Sequence, residues 1–152
     1  MIEVRVTRRG GALVEVAIEG HADYAEPGED IVCAGVSAIT FGAANAVVAL
    51  SGLDPVKAMG QSGYLHFQLP ANPLPGTPPE RLRDAALLLE GMIIALKALA
   101  EGYPAHVAVI DPEAPEGSHS IAERRLRRDV PVRSGPAVLR SKEGRRQHQK
   151  RP

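Results

Sequence analysis

Residues 2–19, IEVRVTRRGGALVEVAIE, alternate apolar and polar side chains on either side of a double glycine. Successive Cβ atoms of a strand point to opposite faces, so Ile2, Val4 and Val6 share one face, and Val14, Val16 and Ile18 do the same in the second run. The glycines at 10 and 11 supply the backbone angles of a tight turn. The pattern predicts a β-hairpin with one apolar face, and that face needs a cover.

The cover lies downstream. A polar loop follows Gly20, and from Ile31 to Ser51 the residues become small and apolar. That run is too long for a strand and predicts a buried helix, stopped by SGLDP. Its length would also span a membrane. Gly35, Ser37, Thr40, Gly42, Asn45 and Ser51 inside it, and acidic flanks without a basic anchor, argue against a membrane. YLHFQL (64–69) predicts a third strand with Leu65, Phe67 and Leu69 on one face. After a proline-rich loop, Thr77 and Glu80 have the spacing of a capping box with Pro78 at the first helical position. The helix then carries Leu82, Ala85, Leu89, Met92, Leu96 and Leu99 as an apolar stripe, with Glu90, Lys97 and Glu101 opposite. Leu87 and Ile94 widen the apolar surface enough for a dimer contact. Gly102 ends this helix, and HVAVID supplies a fourth strand. The predicted order is ββαβαβ. It gives an α+β two-layer sandwich, with a four-stranded, mainly antiparallel sheet and two helices on one face.

Of 152 residues 44 % are apolar and only 3 % aromatic, so aliphatic side chains must build the core. The single cysteine excludes an internal disulfide and a multi-cysteine metal site, and fits the reducing cytoplasm. MIEVRVTRRGG lacks the apolar run of a signal peptide. Residues 1–112 hold 7 Lys/Arg against 13 Asp/Glu, whereas residues 113–152 hold 11 against 5. The chain therefore divides into an acidic domain, 1–112, and a basic tail, 113–152, with too few large apolar residues to fold. The tail is either a solvated extension or an electrostatic contact with RNA or a ribosome.

Cys33 sits where loop becomes helix. Asp30 is a favoured N-cap, which puts Ile31, Val32 and Cys33 in the first helical turn, among unpaired N–H groups that favour a thiolate. His21 starts the loop, and nine residues can return it to Cys33. A Cys–His pair activates the sulfur, and the imidazolium can protonate a leaving amine. Helix amides could stabilise the oxyanion, but an Asp30 that caps Cys33 removes that amide from use. Spacing alone favours an inert Cys33 and a His21 that merely ends a strand. His66 and His106 read as bystanders, and His119 and His148 lie in the tail. A zinc set of Cys33, His21 and Asp30 lacks close ligand pairs, and no second cysteine is present for redox chemistry. Neither metal nor cofactor is called for.

Gly20-His21-Ala22, then Gly28, DIVCAGVSAI (30–39) and FGAANAV (41–47) together resemble the signature of the ribosomal-processing cysteine protease family, Prp. The similarity runs along residues 1–112. It implies a homodimeric cysteine endopeptidase that removes a short N-terminal extension from ribosomal large-subunit protein twenty-seven. It implies His21 as general base, Cys33 as nucleophile and Asp30 in support. The loop 22–29, with Ala22 and Gly28, and Ser37 one helical turn past Cys33 would border the substrate groove. The tail lies beyond the family's usual end. The alternative is a non-catalytic ribosome- or RNA-associated module built on the basic tail, which an unreactive Cys33 would favour.

Overall fold

The computed structural model describes residues 1–60 and 63–114. The basic tail, apart from Glu113 and Ala114, lies outside the described residues, as do His119 and His148. The hairpin forms as its alternation predicts. Strand β1 (Ile2–Arg9) pairs antiparallel with β2 (Ala12–Glu19), and Gly10 and Gly11 take φ of +58° and +79° between them. Opposite partners place Val4 against Ile18 and Val6 against Val16. Beyond that the register shifts: Thr7 faces Glu15, but Arg8 faces Leu13. Val14 is thus the extra residue of a bulge, and Leu13 enters the core in its place.

Helix α1 (Ile31–Ser51) starts on Asp30 and ends at Gly52, whose left-handed φ of +71° lets its N–H reach the Val48 carbonyl. Among the described residues it is the one helix long and apolar enough to cross a membrane. It is not buried all round. A stripe of Val32, Val36, Thr40, Ala44 and Val47 packs inward, while Ile31, Phe41, Val48 and Leu50 are exposed. Thr40 tolerates burial because its hydroxyl donates to the Val36 carbonyl at 2.9 Å.

The sheet has five strands, not four. Val56–Gly60 is an additional strand, β3, paired antiparallel with β4 (Tyr64–Gln68). Its residues are mostly exposed, so no burial alternation marks it; main-chain pairing at the sheet edge holds it. β4 pairs with β2, and β5 (Val107–Ile110) runs parallel to β1. The order across the sheet is β3-β4-β2-β1-β5, and along the chain ββαββαβ. The α+β class and the two helices stand; the strand count and order are corrected.

Helix α2 (Pro79–Gly102) begins one residue later than the capping-box spacing predicts. Pro79 takes the first position, Pro78 is the cap residue, and the Thr77 N–H donates to the Leu74 carbonyl. Ala85, Leu89, Met92, Ile93 and Leu96 are its buried stripe. Leu99 of α2 packs over Gly35 of α1, where a Cβ would make an ordinary contact, 3.6 Å from Leu99 Cδ2. Together the stripes cover Val4, Val16 and Phe67, each without exposed surface. Burying side chains of this size contributes roughly 1.5–3 kcal/mol apiece.

Arg8 continues the inward face of β1, and this charge needs partners. Its guanidinium donates to Glu90 of α2 and, at 2.8 and 3.1 Å, to both carboxylate oxygens of Asp111 just past β5. Lys97 Nζ joins at 2.8 Å from Asp111. The expectation that Glu90 and Lys97 lie on the solvent side is thereby corrected: a buried arginine turns them inward. The Glu90 hydrogen bond, then that of Asp111, raises the Arg8 pKa above the usual arginine value. Burial pushes the Asp111 carboxyl up, but Arg8 and Lys97 outweigh it and hold it below the usual carboxylate range.

Candidate active site

The sequence from Gly20 to Cys33 folds into a loop that leaves β2 and returns to the N-terminus of α1. Gly20 fixes the exit. Its φ is +97°, and a Cβ there would meet the Met1 carbonyl oxygen at 2.5 Å. Its N–H donates to Gly63 at 3.0 Å, which ties the loop start to the head of β4. Gly28 also has φ +97°, in open space at the turn after Pro27. His21 is exposed, and Cys33 is half-buried.

Both side chains border a groove of about 360 Å³. Val36, Ser37 and Phe41 of α1 form one wall, and Met59, Tyr64 and Leu65 of β3 and β4 form the other. A second recess, about 570 Å³, opens on the other side of the same two residues and runs beneath Pro27, Gly28 and Asp30. His21, Cys33 and Ser37 border both. A polypeptide crossing the helix end could therefore lie on either side of the sulfur. Ala22 is different from expectation: its side chain is buried in the core, 1 % exposed, and only its peptide reaches the site. That peptide N–H points at Cys33 Sγ from 3.2 Å.

Asp30 is occupied by backbone. Oδ1 accepts the N–H groups of Val32 at 2.9 Å and Cys33 at 2.8 Å, and Oδ2 accepts that of Tyr24 at 3.0 Å. These donors, Cys33 first, hold its carboxyl below the usual carboxylate range. Asp30 therefore caps α1 and clasps the loop to it, and both of its oxygens are engaged in doing so. The Cys33 amide is consumed by that cap and is not free to meet an oxyanion.

Two parts of the site carried no sequence signal. The wall from β3 belongs to the strand whose exposed residues hide it. His106, read as a bystander, places Nδ1 2.7 Å from the Ala22 carbonyl oxygen. A separation of 84 residues and a main-chain partner leave nothing in the sequence to find. His66 does remain apart, 2.9 Å from Glu15 on the outer sheet face.

An α+β domain that presents one thiol at a helix N-terminus to an open groove, with a histidine bordering the same groove, has the form of a cysteine-dependent hydrolase. The chain belongs to the family described as cysteine protease Prp, whose model matches residues 1–108. The ribosomal processing cysteine protease Prp of Bacillus subtilis is 38 % identical over 111 residues, covering 72 % of this chain and 96 % of that protein. Its namesake from Staphylococcus aureus is 33 % identical over 105 residues, 68 % of this chain and 92 % of the relative. A crystal structure of Prp from S. aureus with a covalently linked product peptide superposes with a TM-score of 0.62 at 31 % identity, covering 72 % of this chain and 98 % of the other.

Proposed function

We propose that this protein is a cysteine endopeptidase that removes a short N-terminal extension from ribosomal large-subunit protein twenty-seven, in the cytoplasm. The observation that carries the reading is the shared groove: His21 at the end of β2 and Cys33 in the first turn of α1 border the same two recesses. The relatives' description as ribosomal processing proteases supports the substrate class.

In this reading the Cys33 thiolate attacks the scissile carbonyl and forms a thioester. His21 holds the thiol proton as imidazolium and delivers it to the leaving amine. His21 then takes a proton from water, whose oxygen attacks the thioester; the C–S bond breaks, the extension leaves as its carboxylic acid, and the thiolate and imidazolium are restored. Asp30 supports by holding the helix start and the loop together. Ser37 and Gly28 border the path of the peptide on either side of the sulfur. The exposed Leu87 and Ile94 of α2 form the dimer contact, and the basic tail, 113–152, draws the enzyme to ribosomal RNA. The test is cleavage of the extended ribosomal protein by the native chain and by Cys33→Ala and His21→Ala. Both variants lose activity if the pair acts as described; cleavage at the native rate by either one sinks the assignment, and a native chain that leaves the extension intact sinks the substrate.

A further inference from the structure

We propose that His106 is a positioning residue for Cys33, acting through the peptide of Ala22. This rests on the thiol chemistry proposed above and adds a residue to it. The Ala22 carbonyl can only accept, so Nδ1 of His106, 2.7 Å away, carries the hydrogen. On the other side of the same residue the Ala22 N–H points at Cys33 Sγ from 3.2 Å. The Ala22 residue is thus held at its carbonyl while its amide is aimed at the sulfur.

His106 is itself held rigidly. Its N–H donates to the Tyr103 carbonyl at 2.9 Å, and its carbonyl accepts the Ile2 N–H at 2.8 Å, where β1 meets β5. The ring packs edge-on against Tyr24, with centroids 5.2 Å apart, and Tyr24 packs in turn on Tyr103. The strand junction therefore fixes the imidazole, the imidazole fixes Ala22, and Ala22 faces the thiolate. With the amides of Val32, Cys33 and Tyr24 bound by Asp30, and that of Ala34 by the Asp30 carbonyl, Ala22 supplies the N–H that meets the sulfur. A donor aimed at a thiolate favours that form over the thiol.

The test separates the ring from its N–H. His106→Phe keeps an aromatic edge against Tyr24 and loses the donor; His106→Ala loses both; His106→Asn keeps an N–H near the position of Nδ1. Two readouts are used: cleavage of the extended ribosomal protein, and alkylation of Cys33 by iodoacetamide near neutral pH, which needs no assumption about substrate. With the donor gone, kcat falls about tenfold or more while KM stays within about twofold, the scale of a misplaced reacting group. Alkylation falls less, by about threefold, because a less stabilised thiolate is also the more nucleophilic. His106→Asn restores both rates. His106→Phe at native rates, or His106→Asn as slow as His106→Ala, overturns the inference. If the native chain does not cleave the extended protein, the proposed substrate fails, and alkylation alone decides the role of His106.

Discussion

Gly63→Ala tests how the fold aims His21. Gly63 heads β4 with φ +68°, and an alanine Cβ there would lie 2.5 Å from the Gly20 carbonyl oxygen and 3.2 Å from His21 Cε1. The left-handed backbone alone costs an L-residue about 1 kcal/mol. The close contact is worse, because its partner is backbone and cannot rotate away. Real Cβ contacts essentially never fall under 3.0 Å, so the two chain segments must part. They are joined at that point by the Gly20 N–H to the Gly63 carbonyl, and whatever moves Gly20 carries His21 with it. A displacement approaching 1 Å at a reacting group costs up to about 100-fold in rate. Gly10→Ala is the matched control: φ is +58° in the distal turn, and nothing lies within 4 Å of the new Cβ. Both variants should lose thermal stability, and only Gly63→Ala should lose kcat in the cleavage assay. Equal kcat for the two variants would refute the claim that Gly63 and Gly20 set the position of His21.

Removing Asp111 with Asp111→Ala leaves the buried Arg8 short of a partner. Urea denaturation should show a loss of about 2 kcal/mol, the scale of hydrogen bonds lost to a charged group, because Glu90 still pairs the guanidinium. Acid should act through the same carboxyl and through Asp30. Both are held below the usual range in the folded chain. Unfolded chains therefore take up protons first, and the stability these groups contribute, full at neutral pH, declines as pH falls through the ordinary carboxylate range near ~4. Thermal midpoints across that range should drop, and Asp111→Asn should flatten the decline; a decline unchanged by that substitution speaks against the linkage. For the proposed dimer contact, the native chain should sediment as a dimer in analytical ultracentrifugation and the combined Leu87→Glu, Ile94→Glu variant as a monomer; a native monomer, or a variant that sediments like a native dimer, speaks against that contact.

The hairpin and α1 were legible because their signals are local: period-two alternation, a double glycine, and an aspartate before a long apolar run. Features set by tertiary contacts were not. β3 is an exposed edge strand held by β4, so nothing in VKAMG alternates. The bulge at Val14 exchanges which residue enters the core without altering the composition. Glu90 and Lys97 look solvent-facing until Arg8, from another element, draws them in. The same division holds in the site. His21, Asp30 and Cys33 lie within thirteen residues, and their spacing around a helix start is what points to the proposed chemistry. The N-cap role of Asp30 was legible, but not that a third backbone amide, that of Tyr24, fills its second oxygen, because the loop's return to the helix is tertiary. His106 was invisible because it acts on a main-chain carbonyl brought to it by the β1–β5 junction.

The central claim is that the Cys33 sulfur performs the cleavage. The most direct measurement is intact-mass spectrometry of the protein quenched in acid during turnover of N-terminally extended ribosomal protein twenty-seven. The native chain should release the shortened protein and carry a transient adduct of the extension's mass, mapped to Cys33. Cys33→Ala should show neither. Shortened protein appearing at the native rate with Cys33→Ala would contradict the account.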